Sequence, residues 1–112
     1  MKGFGGGMGD MAGMLRQAQK MQKDMARIQE DLKERIVEGS AGGGVVKAFV
    51  NGQQELVSLK IDPSAVDPQD LSMLEDLVTA AVQNGLKASR ELMQAEMQKA
   101  TGGMGLPPGL GF

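Results

Sequence analysis

Cysteine and histidine are both missing from this chain of 112 residues, and tryptophan and tyrosine are missing with them. Without cysteine there is no disulfide to staple a small fold and no thiol nucleophile. Without histidine the side chain that most often serves as general base, and the commonest metal ligand, is gone. Carboxylates and lysines remain, and they form no nucleophile–base pair at a recognisable spacing, so no enzyme and no cofactor is expected. The only aromatics are Phe4, Phe49 and Phe112, two of them in glycine-rich ends, which leaves roughly 85 to 90 residues to build a thin core. Oligomerisation is the expected remedy. No run approaches the roughly 18 apolar residues of a membrane span, and the opening Met1-Lys2-Gly3-Phe4-Gly5 lacks the apolar core of a signal peptide. A cytoplasmic protein with no membrane partner is the expectation.

What is present is an uneven charge distribution. The formal net charge is -2, yet residues 1–29 hold five cations against two anions, residues 30–86 four against ten, and residues 87–112 three against two. The basic surface therefore belongs to the first segment. There Met11, Met14, Ala18, Met21, Met25, Ile28 and Leu32 recur at alternating spacings of three and four, the signature of a helix with one apolar seam. At about 100° per residue, Arg16, Lys20, Lys23 and Arg27 fall within roughly 60° of one another on the opposite side. They form a basic stripe, ended by Glu30, Asp31 and Glu34.

Residues 1–9 contain five glycines and read as a flexible tail, with Asp10 capping a helix that starts near Met11. Three strands follow, over 36–41, 44–50 and 54–61, with turns at Gly42-Gly43 and at Asn51-Gly52, the latter suited to the positive φ angles of a two-residue hairpin. In the third, Val57, Leu59 and Ile61 alternate with Ser58 and Lys60, as in a sheet covered on one side. Asp62-Pro63 ends it. Asp67-Pro68 starts a short turn of helix, and Ser72 with Glu75 matches a capping box for a long helix over 73–100. Residues 101–112, rich in glycine and proline, read as a second flexible tail, which leaves a single domain over 10–100. The fold class is α+β: a three-stranded antiparallel sheet between two long helices.

Other constellations have plainer readings. The glycine run Gly42-Gly43-Gly44 leads into a strand and lacks a Gly-Lys-Ser/Thr ending, so it is a turn and not a phosphate loop. Met14, Met21, Met25, Met73, Met93 and Met97 are expected to pack between the long helices. Asp62, Asp67 and Asp70 have turn or capping roles, and together with Glu75 and Asp76 they show no metal-ligand spacing. The stripe alone suits either a solvated helix back or a row of phosphate contacts.

Several runs in order resemble the YbaB/EbfC family of small bacterial nucleoid-associated proteins. They are Leu15-Arg16-Gln17-Ala18-Gln19-Lys20-Met21-Gln22, Val37-Glu38-Gly39-Ser40-Ala41-Gly42-Gly43-Gly44-Val45-Val46-Lys47, Asn51-Gly52, Ile61-Asp62-Pro63, Asp67-Pro68, Leu74-Glu75-Asp76-Leu77 and Ala80-Ala81-Val82. The resemblance covers residues 10–98. It implies an α-β-β-β-α protomer, a homodimer joined through its sheet, and helices that project like tweezers. It also implies nucleoid localisation and DNA binding that alters DNA conformation, with roles in nucleoid organisation, gene regulation and DNA protection. Arg16, Lys20, Lys23 and Arg27 are the candidate phosphate contacts, with Lys87, Arg90 and Lys99 as weaker ones. The rival reading is a protein-interaction scaffold with Met-rich helices. The sequence departs from the family pattern at Gln83-Asn84-Gly85, where the family usually has an acidic residue after Asn and then Ala; the mid-helix glycine implies either softening or close packing.

Overall fold

The computed structural model describes residues 2–101, with side chains from Asp10 to Ala100. The chain runs α1 (Lys2–Glu34), β1 (Ile36–Ala41), β2 (Val46–Asn51), β3 (Leu56–Ile61) and α2 (Leu71–Thr101), with 3-10 turns at Gly42–Gly44 and Pro63–Ala65. The sheet is antiparallel in the order β1-β2-β3, which gives the expected α-β-β-β-α order. The molecule is elongated, 83 Å in its longest dimension. Of the expected tail over 1–9, the backbone from Lys2 is helical, so Asp10 lies inside α1 and does not cap it. Extending an existing helix adds one hydrogen bond per residue fixed without a new nucleus, which lets it run through glycines that could not start one. Thr101 belongs to α2, and the rest of the expected C-terminal tail lies outside the described residues.

α2 lies across β1 and β2. Val46, Ala48 and Val50 of β2 point to it and are buried, as is Gly39 of β1, whose cross-strand partner is Ala48. Ala81 closes the core, and Leu74, Leu77, Val78 and Val82 flank it. A glycine at position 85 is explained here: a Cβ on it would lie 2.8 Å from Val50 Cγ2, and a Cβ on Gly39 would run into Gly85 N and Ala81 O. Strand and helix approach through two glycines, so close packing is the answer and not softening.

Turns differ from the sequence expectation in instructive ways. Gly42, Gly43 and Gly44 all take positive φ, so the first turn uses three glycines and β2 starts at Val46. In the second, the residue with positive φ is Gln54 (64°), not Asn51 or Gly52. Asn51 ends β2 and its N–H donates to Glu55 O at 2.9 Å, closing a loop of the three residues 52–54, while its Oδ1 accepts from the N–H groups of Gln53 and Glu55. Such a loop suits a turn followed by one left-handed residue. Gly52 is needed for another reason: its N–H donates to Leu32 O at 2.7 Å, and a Cβ would collide with that carbonyl. Gln53 Nε2 donates to Gln29 O. The β2–β3 loop is thereby tied to carbonyls near the end of α1.

Asp70, not Ser72, caps α2, accepting from Met73 N–H; Ser72 Oγ donates to the same carboxylate. Asp62 and Asp67 hold Asx turns at Ser64 and Gln69. Farther along α2, the fully buried Ser89 donates from Oγ to Asn51 O at 2.6 Å and accepts from Gln54 N–H. Ser89→Ala removes both bonds and leaves Gln54 N–H and Asn51 O only their 3.2 Å hydrogen bond to each other. A loss of about 1 kcal/mol is expected, read as a lower urea midpoint at fixed protein concentration.

Candidate nucleic-acid interface

Among the described side chains of α1, only those near its C-terminal end are packed. Leu32 is fully buried and Met25 and Ile28 are half-buried, whereas every residue from Asp10 to Lys23 is exposed. The half-buried positions on α2 beyond the sheet are Leu92, Met93, Glu96 and Met97. Met25, Met93 and Met97 thus fit the expected packing between helices, but Met14 (69% exposed), Met21 (42%) and Met73 do not. The seam continues past the region of α1 that α2 covers. β3 is also unlike its expectation: Val57, Leu59 and Ile61 remain exposed, because α2 covers β1 and β2 and leaves the outer strand bare.

Arg16, Lys20, Lys23 and Arg27 lie on the side of α1 opposite Met25, Ile28 and Leu32, as helical spacing requires. All are exposed, and they span about 16 Å at 1.5 Å per residue. Arg27 makes a 3.5 Å ion pair with Asp24 but remains 76% exposed. No ion pair engages Arg16, Lys20 or Lys23 among the described residues. With a phosphate every 3.4 Å along each strand axis, the row covers about five phosphates.

The three cations of α2 do not join this row. Lys87 and Arg90 are exposed on the back of α2, away from both the sheet and α1, and they share that back with Asp76 and Glu91. Lys99 sits elsewhere on the helix, with Nζ 3.4 Å from Glu96 Oε1. Glu96 also accepts from Arg35 Nη1 at 2.9 Å, a tie between the end of α1 and α2 that sequence spacing gives no means of finding. The Arg35 hydrogen bond chiefly holds the Glu96 carboxyl below its ordinary range, with Lys99 adding to the effect and burial opposing it. A lowered folded-state pKa gives stability that is present above the unfolded value and is lost as pH falls through the folded one. The Tm difference between wild type and Glu96→Gln should therefore be constant near neutral pH and shrink below about pH 4.3.

A family model described as the YbaB/EbfC DNA-binding family matches residues 8–104. The chain belongs to the YbaB/EbfC DNA-binding family. A nucleoid-associated protein of Moorella thermoacetica is 58% identical over 101 residues, covering 90% of this chain and 97% of that protein. One from Acetivibrio thermocellus is 48% identical over 108 residues, covering 96% of each. Among solved structures, an uncharacterized protein from Helicobacter pylori matches with a TM-score of 0.68 at 29% identity, over 82% of this chain and 94% of its own. The YbaB/EbfC assignment makes DNA the ligand class of the family. No helix among the described residues is long and apolar enough to cross a membrane.

Proposed function

We propose that this YbaB/EbfC protein acts as a homodimer that binds duplex DNA through its phosphates and alters its conformation in the bacterial nucleoid. The observation that carries the proposal is the row Arg16, Lys20, Lys23 and Arg27, presented to solvent on the unpacked side of a projecting helix. Backbone contacts of this kind give binding that tolerates sequence and weakens with salt. Lys87, Arg90 and Lys99 are secondary contacts, since they lie apart from the row. Roles in nucleoid organisation, gene regulation and DNA protection follow from coating and bending DNA without strong sequence demand.

The bare outer strand supports the dimer. Leu56, Val57, Leu59 and Ile61 are too apolar a row to suit water, and β3 has an unpaired edge. A second copy covers them and presents the cationic row twice. Sedimentation equilibrium should give twice the chain mass for wild type. Leu59→Asp should give the monomer mass and weaken binding of a random-sequence duplex in mobility shifts. A monomeric wild type at tens of micromolar, still binding duplex DNA, would refute the dimer.

The exposed Met11, Met14 and Met21 favour a second reading, in which α1 docks a protein partner and DNA association is incidental. A partner retained stoichiometrically from nuclease-treated lysate would support it.

A further inference from the structure

The segment from Asp10 to Lys23 is helical, yet no side chain in it is buried or half-buried on either face. A helix in a folded protein draws most of its stability from packing, and an unpacked stretch of this length is marginal in water. This stretch has further handicaps. Gly13 sits in its interior. Arg16 and Lys20 are like charges four residues apart, as are Lys23 and Arg27, and Lys20 and Lys23 are three apart, so the stripe repels itself along the helix. The first relief is Asp24, beside Arg27, where packing also begins.

We infer that residues 10–23 form a DNA-ordered arm, whose helix is only partly populated in the free protein and is completed when phosphates neutralise Arg16, Lys20 and Lys23. The inference rests on the phosphate-contact reading above and adds a mechanism to it. The same charges that attract the duplex oppose the helix that aligns them, so binding and helix formation are linked. Each phosphate contact removes a repulsion between successive turns. Conversely, the measured affinity is lowered by the fraction of free protein whose arm is already helical. Near the base of the arm, where Ile28 and Leu32 pack, the helix is independent of DNA.

Gly13 provides a clean lever, because nothing lies within 4 Å of a Cβ added there. Gly13→Ala raises the helical population of the arm without touching any neighbour or charge. The full chain should gain ellipticity at 222 nm on saturation with a random-sequence duplex at low salt. Gly13→Ala should bind about two- to fivefold more tightly and gain less ellipticity on binding. Unchanged ellipticity at saturation, together with an unchanged Kd for Gly13→Ala, would overturn the inference. If the variant with all four stripe cations changed to glutamine has lost binding in the same assay, the phosphate reading survives that result. Wild-type affinity in that variant would overturn the reading and the inference together.

Discussion

Gly39→Ala should unfold more readily than any other single methyl addition to the sheet, losing about 3 kcal/mol or more. The added Cβ would run into Gly85 N and Ala81 O, with Gly85 Cα at 2.6 Å. These are backbone atoms of α2, so no rotamer change can relieve the clash, and the helix must lift from the sheet. Lifting it opens the core formed by Val46, Ala48 and Ala81. A small domain with about 5–15 kcal/mol of stability can lose a large fraction of it this way. Urea unfolding at fixed protein concentration should show a much lower midpoint, and Gly39→Val should not yield folded protein. Gly85→Ala is the internal control. Its added Cβ would lie 2.8 Å from Cγ2 of the fully buried Val50, a side chain and not backbone, and alanine is the better helix former, so the loss should be smaller than for Gly39→Ala, about 1–2 kcal/mol.

That pair also shows where sequence reasoning stops. Periodicities of two and 3.6 place the three strands and α2 close to their observed positions and find α1 apart from its start, which lies nine residues earlier than expected. The glycine run also marks a turn, where positive φ at three successive residues excludes most other side chains. Neither pattern records who approaches whom. Gly39 and Gly85 are 46 positions apart in the chain, and only the fold shows that they touch. Gly52 gives a turn signal, yet its role is to admit Leu32 O at the end of α1. Burial of Val57, Leu59 and Ile61 follows from alternation only if something covers β3, and α2 is a single helix lying over the other two strands.

The candidate site was legible to a different degree. That Arg16, Lys20, Lys23 and Arg27 share one side of a helix follows from spacing alone, and the fold keeps that side clear of packing. The positions of Lys87, Arg90 and Lys99 relative to that row depend on how α2 sits on the sheet, which spacing within α2 does not encode. Lys87 and Arg90 lie exposed on α2, apart from the row on α1. The end of the row is legible as well, since Glu30, Asp31 and Glu34 make the rest of α1 unattractive to phosphate.

Changing Arg16, Lys20, Lys23 and Arg27 together to glutamine should lower affinity for a random-sequence duplex by roughly a hundredfold or more at 50 mM salt. Glutamine matches lysine and arginine in helix propensity, so α1 is not weakened by the exchange. Among the described residues the only ion pair broken is that of Arg27 with Asp24, which is exposed and contributes little. None of the four side chains is buried, so folding and the proposed dimer contact at β3 should be unaffected. The loss should be the same for AT-rich, GC-rich and random duplexes, because phosphates carry no sequence. Changing Lys87 and Arg90 to glutamine should have a much smaller effect.

The most direct measurement is the slope of log Kobs against log salt for wild type and for the four-glutamine variant, on one duplex, with the mass of both checked by sedimentation. Each neutralised phosphate adds about -0.9 to the slope, so removing the four cations from one copy of α1 should make it shallower by about 3 to 4. Two copies of α1 on the same duplex should double that difference. Equal slopes and equal affinities in two proteins of the same mass would contradict the account, since the exposed row on α1 would then not be where DNA is held.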